Sequence, residues 1–294
     1  MNMSENLQHF LEEVLLESLV DTLKLLPFLF LTYLLMEFIE HRASDKVSAF
    51  MKRAGGLGPL AGSAVGAIPQ CGFSTAASNL YAARVISAGT LVAVFLSTSD
   101  EMLPILASAN LSPKSIFFIV IYKVAVGILV GFGIDLAIRL SRREREEIDI
   151  DLICENDNCH CERGIFYSAI HHTLTIGAFV LAVNFIISLV IFLVGEEAIA
   201  SVMNGHPVIS HLIASVVGLI PNCAASVALT TLYVDGLISV GTMISGLLTG
   251  AGVGIAVLLK VNRRLKDNLF IILSLYVAGV VFGLLADLIL PLII

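Results

Sequence analysis

The sequence predicts an all-α polytopic membrane protein built from two inverted repeats, each with three crossings and one re-entrant half-helix hairpin, making ten helical segments in all. Three observations predict it. The first is composition: 57% of the 294 residues are hydrophobic, 14% are charged and the mean hydropathy is +0.93, against about 25% charged residues in a soluble domain. The second is an internal repeat. A shift of 152 residues superposes Leu60–Thr90 on Leu212–Thr242 without a gap, with fifteen identities in 31 positions, among them Pro69/Pro221, Cys71/Cys223, Ser74/Ser226 and Gly89/Gly241. The same shift pairs Gly127, Gly131 and Asp135 with Gly279, Gly283 and Asp287. The third is a charge bias that changes sign between equivalent connectors.

Taken in order, the apolar stretches run over 10–39, 57–83, 85–109, 115–140, 165–194, 208–234, 237–259 and 269–294. A crossing needs roughly 20 residues, so the chain has room for about six to eight crossings and no sizeable soluble domain. The polar stretch 141–164 divides a first transmembrane repeat, 1–140, from a second, 165–294. Met1 to Val20 is acidic and has no Lys or Arg, which does not fit a secretory signal. Net charge of −7 with scattered Lys and Arg gives no nucleic-acid footprint. The expected partner surface is the lipid bilayer of the cytoplasmic membrane; a homo-oligomer is left open.

Basic short connectors face the cytoplasm. The connector 41–56 carries Arg42, Lys46, Lys52 and Arg53, while its equivalent 196–206 has none; 108–114 has only Lys114, while its equivalent 260–266 carries Lys260, Arg263, Arg264 and Lys266. Equivalent loops therefore lie on opposite sides, with 196–206 and both termini outside. Inversion requires an odd number of crossings per half. Four apolar stretches are visible in each, so one is expected to enter and return. The candidates hold Pro69 and Pro221, where a missing N–H and a ring clash break the helix. Each proline should free a carbonyl, that of Val65 or Val217, and Ser74 suits the N-cap of the returning half-helix.

The chemistry-bearing residues gather at these breaks. The tips Pro69-Gln70-Cys71 and Pro221-Asn222-Cys223 each offer an amide and a thiol, with hydroxyls at Ser74 and Ser226. Packing alone would also explain small residues and cysteines there, but the amide recurs in both halves at the point of breakage. Asp100 and Glu101, followed by Pro104, form a carboxylate pair inside an apolar stretch, where such residues are costly and default to functional candidates. Solvation near the outer interface, or pairing with Lys123, is the competing reading. The equivalent stretch, 249–254, is loosened by glycines and has no carboxylate. Cys154, Cys159, His160 and Cys161 in the central stretch make a set of four soft or borderline ligands within eight residues, an accessory site for zinc or another transition metal. His171, His172 and Asn184 follow in the next helix, where interfacial roles are commoner. No phosphate-binding loop, hydrolytic triad or metalloprotease motif is present, so the expected activity is not enzymatic, no cofactor is required, and transport would run on a gradient.

The pair IPQCGFSTA and IPNCAASVA, with the intervening CENDNCHCE and the following HHTL, resembles a known family, the manganese transporter or ten-helix heavy-metal exporter family, often labelled arsenic efflux protein. The resemblance covers nearly the whole chain and implies export of a metal or metalloid. Combined with the residues, it gives a leading expectation of a secondary Mn²⁺ exporter whose ligands are Gln70, Cys71, Asp100, Glu101, Asn222 and Cys223. Alternatives are an arsenic permease using the paired thiols, a small-anion transporter using half-helix N-termini, and a non-transporting metal sensor.

Overall fold

The computed structural model describes residues 56–68, 71–99, 102–109, 111–140, 165–194 and 207–292, with scattered positions between 16 and 34. The elements are all helical: α1 Gly58–Gly66, α2 Cys71–Ala82, α3 Ala88–Ser97, α4 Met102–Ser108, α5 Pro113–Leu140, α6 Ile165–Val194, α7 Pro207–Gly218, α8 Cys223–Val234, α9 Val240–Thr249, α10 Val253–Val261 and α11 Leu265–Ile289, closed by a 3₁₀ turn at Leu290–Leu292. Among the described residues, four stretches are long and apolar enough to span a bilayer: Ala88–Ser108, Pro113–Leu140, Val240–Val261 and Leu265–Ile289. The protein is a multi-pass membrane protein.

The repeat seen in the sequence recurs in the elements. α2, α3 and α5 begin 152 residues before α8, α9 and α11. The polar contacts recur at the same offset. The Asp135 carboxylate accepts from Ser87 Oγ (2.7 Å) and the Gly89 amide (3.0 Å), capping α3; Asp287 accepts from Ser239 Oγ (2.8 Å) and the Gly241 amide (2.6 Å), capping α9. A carboxylate at a helix N-terminus meets unsatisfied amides and the positive end of the dipole. Even the left-handed backbone repeats: Arg84 (φ 60°) and Gly236 (φ 72°) are equivalent positions in the turns that follow α2 and α8.

Small residues set how closely the helices approach. Cβ atoms built on Gly58 and Gly66 would strike Thr90 and Ser97, so α1 runs alongside α3 in the same direction. After the tip the chain must regain Ser87, at the start of α3, by way of α2. α1 and α2 therefore enter and return on one side, as the proline break predicts. The expected loose carbonyls are not loose. Val65 O accepts from the Ile68 amide (3.1 Å) and Val217 O from the Ile220 amide (3.0 Å), because the last turn tightens to a three-residue bond before each proline. Nor is Ser74 an N-cap, since α2 begins three residues earlier, at Cys71.

The halves interlock. α2 packs on α10, and α4 on α8. Ser78 Oγ donates to the Gly254 carbonyl (2.8 Å), and Arg84 pairs with Asp267 at 3.4 Å. Thus α10 starts beside the beginning of α2 and ends at the level where α3 starts. The main core joins Leu91, Phe95 and Leu96 of α3 to Ile244, Leu247 and Leu248 of α9, with Ile119 and Leu275 from the flanking long helices.

Candidate functional site

Two helices break at mid-length, as the sequence predicts. Between α3 and α4, Thr98 leaves the helical region (φ −54°, ψ 128°). Between α9 and α10, Gly252 takes φ 51° and ψ −139°, a backbone open to glycine and strained for other residues. The last turns of α1 and α7 each lie at the level of their own half's break. A Cβ on Gly66 would meet Ser97, and one on Gly218 would meet Thr249 and the Gly246 carbonyl. Thr249 Oγ1 also donates to the Ser215 and Gly246 carbonyls, at 2.9 Å each, stitching α7 to the break.

A small cavity of about 10 Å³, room for a single water-sized solute, lies where these breaks converge. Asn222 and Ser226 line it from the second hairpin, Thr98, Ser99 and Met102 from the first break, and Gly250 and Gly252 from the second. Asn222 is 5% exposed, and its own amide N–H donates to the Ile220 carbonyl (2.7 Å), so the tip is held as a tight bend. Backbone that is not helical at such depth is tolerated where it lines a cavity. Among apolar and glycine neighbours such as Met102, Ala225 and Leu247, the lining places neutral oxygens and an amide at Thr98, Ser99, Asn222 and Ser226, suited to replacing water around a small solute.

The sequence-predicted residues divide as follows. Asn222 and Ser226 share the cavity. Ser74, the equivalent of Ser226, is buried against Gly254 and outside the lining; a Cβ on Gly254 would stand 2.9 Å from Ser74 Cβ. Cys71 and Cys223 are the first residues of α2 and α8, directly after the tips. Gln70, Asp100 and Glu101 lie outside the described residues, as do Cys154, Cys159, His160 and Cys161. Among the described residues no three His, Cys, Asp or Glu side chains converge as a metal cluster would need.

One residue beside the cavity is not among the sequence-predicted site residues. Lys123, in the apolar α5, is fully buried and donates from Nζ to the Thr98 carbonyl at the first break. A buried ammonium within a membrane helix is costly and marks function by default. The sequence signals are one lysine in an apolar run, offered as a pairing partner for Asp100 and Glu101, and a repeat equivalent, Leu275, that is a buried leucine. Lys123→Leu is therefore expected to keep the fold, since leucine fits the equivalent place. Loss of a hydrogen bond from a charged donor costs about 1.5–3 kcal/mol, so transport should fall roughly tenfold or more, measured as flux per folded protein.

No match was found among curated proteins or among solved structures. A family model described as a 10TM heavy-metal exporter, ArsP_2, matches residues 11–185, which include the first hairpin, its break, Lys123 and the central Cys/His stretch. By that match over more than half of its length, the chain belongs to the ten-transmembrane heavy-metal exporter family.

Proposed function

We propose that the protein is a secondary exporter of a divalent cation, with Mn²⁺ the best-suited substrate, working by alternating access around the central cavity. The observation that carries this reading is the convergence of a hairpin tip and two helix breaks on one cavity lined by Asn222, Ser226, Thr98 and Ser99. Oxygen donors of this kind suit a hard or borderline ion. Asp100 and Glu101 follow Ser99 directly in the chain and would supply the compensating negative charge. Gln70 would bring to the first tip what Asn222 brings to the second, and Cys71 and Cys223 would admit softer ions. The Cys154, Cys159, His160 and Cys161 set would serve as an accessory site for a transition metal.

Inverted topology supports alternating access. The Arg84–Asp267 pair brings the end of α10 to the level where α3 starts, so the equivalent crossings Ala88–Ser108 and Val240–Val261 run in opposite directions. With Lys260, Arg263, Arg264 and Lys266 at that level, the positive-inside rule places it in the cytoplasm. Single-cysteine labelling from the two sides should find 41–56, 141–163 and 260–268 inside and 196–206 outside. Labelling of 41–56 and 196–206 from the same side would contradict the inversion.

A second reading, transport of a small anion, has one observation in its favour: the buried Lys123 ammonium at the first break. Flux into proteoliposomes, measured across Mn²⁺, Zn²⁺, arsenite and a panel of inorganic anions, separates the readings. Saturable Mn²⁺ flux is expected. Arsenite flux lost in Cys71→Ser or Cys223→Ser would replace it with a thiol mechanism, and anion flux lost in Lys123→Leu with the second reading.

A further inference from the structure

The repeat is broken at one polar junction. In the first half, Asp135 caps α3 and the residue equivalent to His211 is Pro59. In the second half, Asp287 caps α9 and its Oδ2 also lies 3.2 Å from Nε2 of His211. The junction ties together three elements: His211 on hairpin helix α7, Ser239 and Gly241 at the start of α9, and Asp287 near the end of α11. His211 is 1% exposed, whereas the Asp287 side chain is 29% exposed and lies at the end of α11 remote from the basic connector 260–266. Among the described residues, Asp287 is the charged group paired with the imidazole from α11; α9 contributes Ser239 and Gly241 at the same junction, and the neighbouring turns of α7 carry Ser210 and Ser215, none of these four titratable in this range.

We propose that His211 and Asp287 form a proton-binding site, loaded from the face opposite the basic connectors, that couples proton entry to movement of the second hairpin. A proton arriving from water at the exposed carboxylate is passed to Nε2. The resulting imidazolium and the carboxylate form an ion pair that holds α7 to α9 and α11. When the proton leaves toward the other face, the carboxylate keeps its Ser239 and Gly241 donors, the cap on α9 survives, and the hold on α7 is released. Histidine is the side chain whose charge changes in the physiological range. α7 ends at Gly218, which lines the cavity, and leads into the tip with Asn222, so releasing it moves a wall of the cavity. The coupling half of this proposal rests on the exporter reading; the proton site itself does not.

The test uses the full chain with ¹⁵N-histidine in lipid nanodiscs. One imidazole signal, missing in His211→Gln, should titrate between pH 5 and 8, and its midpoint should move by about one unit in Asp287→Asn, as expected for loss of an adjacent charge. Asp135→Asn removes the equivalent cap without a histidine and controls for the fold; it should leave the midpoint in place. A signal that does not titrate between pH 4 and 9, or that ignores Asp287→Asn, overturns the site. In proteoliposomes, a pH gradient should drive Mn²⁺ accumulation in the wild type. His211→Gln should lose at least about tenfold of that accumulation while keeping Mn²⁺/Mn²⁺ exchange. Undiminished accumulation in His211→Gln overturns the coupling. A wild type that moves no Mn²⁺ fails the exporter reading instead, and the titration then decides the proton site alone.

Discussion

Asp100→Asn or Glu101→Gln is expected to abolish metal export while folded protein accumulates as in the wild type. The cavity lining is neutral: Asn222, Ser226, Thr98 and Ser99 contribute amides, hydroxyls and carbonyls. A divalent ion leaving water needs oxygens to replace its hydration shell and negative charge to offset its own. Such charge stands next to Ser99 in the chain, at Asp100 and Glu101. Removing one charged ligand is comparable to stranding a buried charged partner, about 3 kcal/mol, which is roughly a hundredfold in affinity. Asn222→Ala and Gln70→Ala should each reduce export strongly, because each removes a neutral donor. Cys71→Ser and Cys223→Ser should matter less for Mn²⁺, since serine keeps an oxygen. Survival under Mn²⁺ stress and liposome flux, both normalised to folded protein, measure the series. Normal export in both carboxylate variants with failure in the cysteine variants would replace the cation site with a thiol mechanism.

Gly89→Val and Gly241→Val are expected to prevent folding, each to a similar degree. A Cβ at Gly89 would overlap the Gly131 carbonyl oxygen and the Asp135 carboxylate; at Gly241 it would overlap the Gly283 carbonyl oxygen and Asp287. The obstructing atoms are backbone and a capping carboxylate, so no side chain can swing away. Overpacking costs up to about 3 kcal/mol in ordinary cores. Here it also dislodges the cap of α3 or α9, which adds about 1 kcal/mol. Gly133→Val is the contrast: nothing lies within 4 Å of a Cβ there, and accumulation should be unchanged. Monodisperse yield in detergent reads all three.

Much of this architecture is legible in the sequence because the repeat constrains it twice. The proline in IPQC and IPNC, met at the same offset, marks where α1 gives way to α2 and α7 to α8, and the Gly and Asp identities at 127, 131 and 135 mark the close packing of α3 on α5. What stays hidden is long-range pairing. Lys123 stands out in an apolar run as a candidate partner for Asp100 and Glu101, but its bond to the Thr98 carbonyl, 25 residues away on another helix, leaves no mark in the sequence. Asp135 and Asp287 stand out as repeated residues, yet their capping role needs the partner helix start, 46 residues distant in each half. His211 shows no pattern at all, since its partner Asp287 lies in the last helix. Local rules also overreach. The proline rule frees a carbonyl on paper, but a tightened last turn takes it up again at Val65 and Val217.

We propose that the cavity beside the second hairpin binds the exported cation and opens alternately to each face. Ser226→Cys, introduced where the five native cysteines are replaced by serine, puts one thiol on the cavity wall. Its modification rate in sealed membranes is measured with membrane-impermeant reagents from either side, with and without Mn²⁺. Mn²⁺ should slow modification at least about tenfold, the occupancy expected at ten times the dissociation constant. Reversing the pH gradient should shift access from one face to the other. A rate that ignores Mn²⁺ from both faces would contradict the claim.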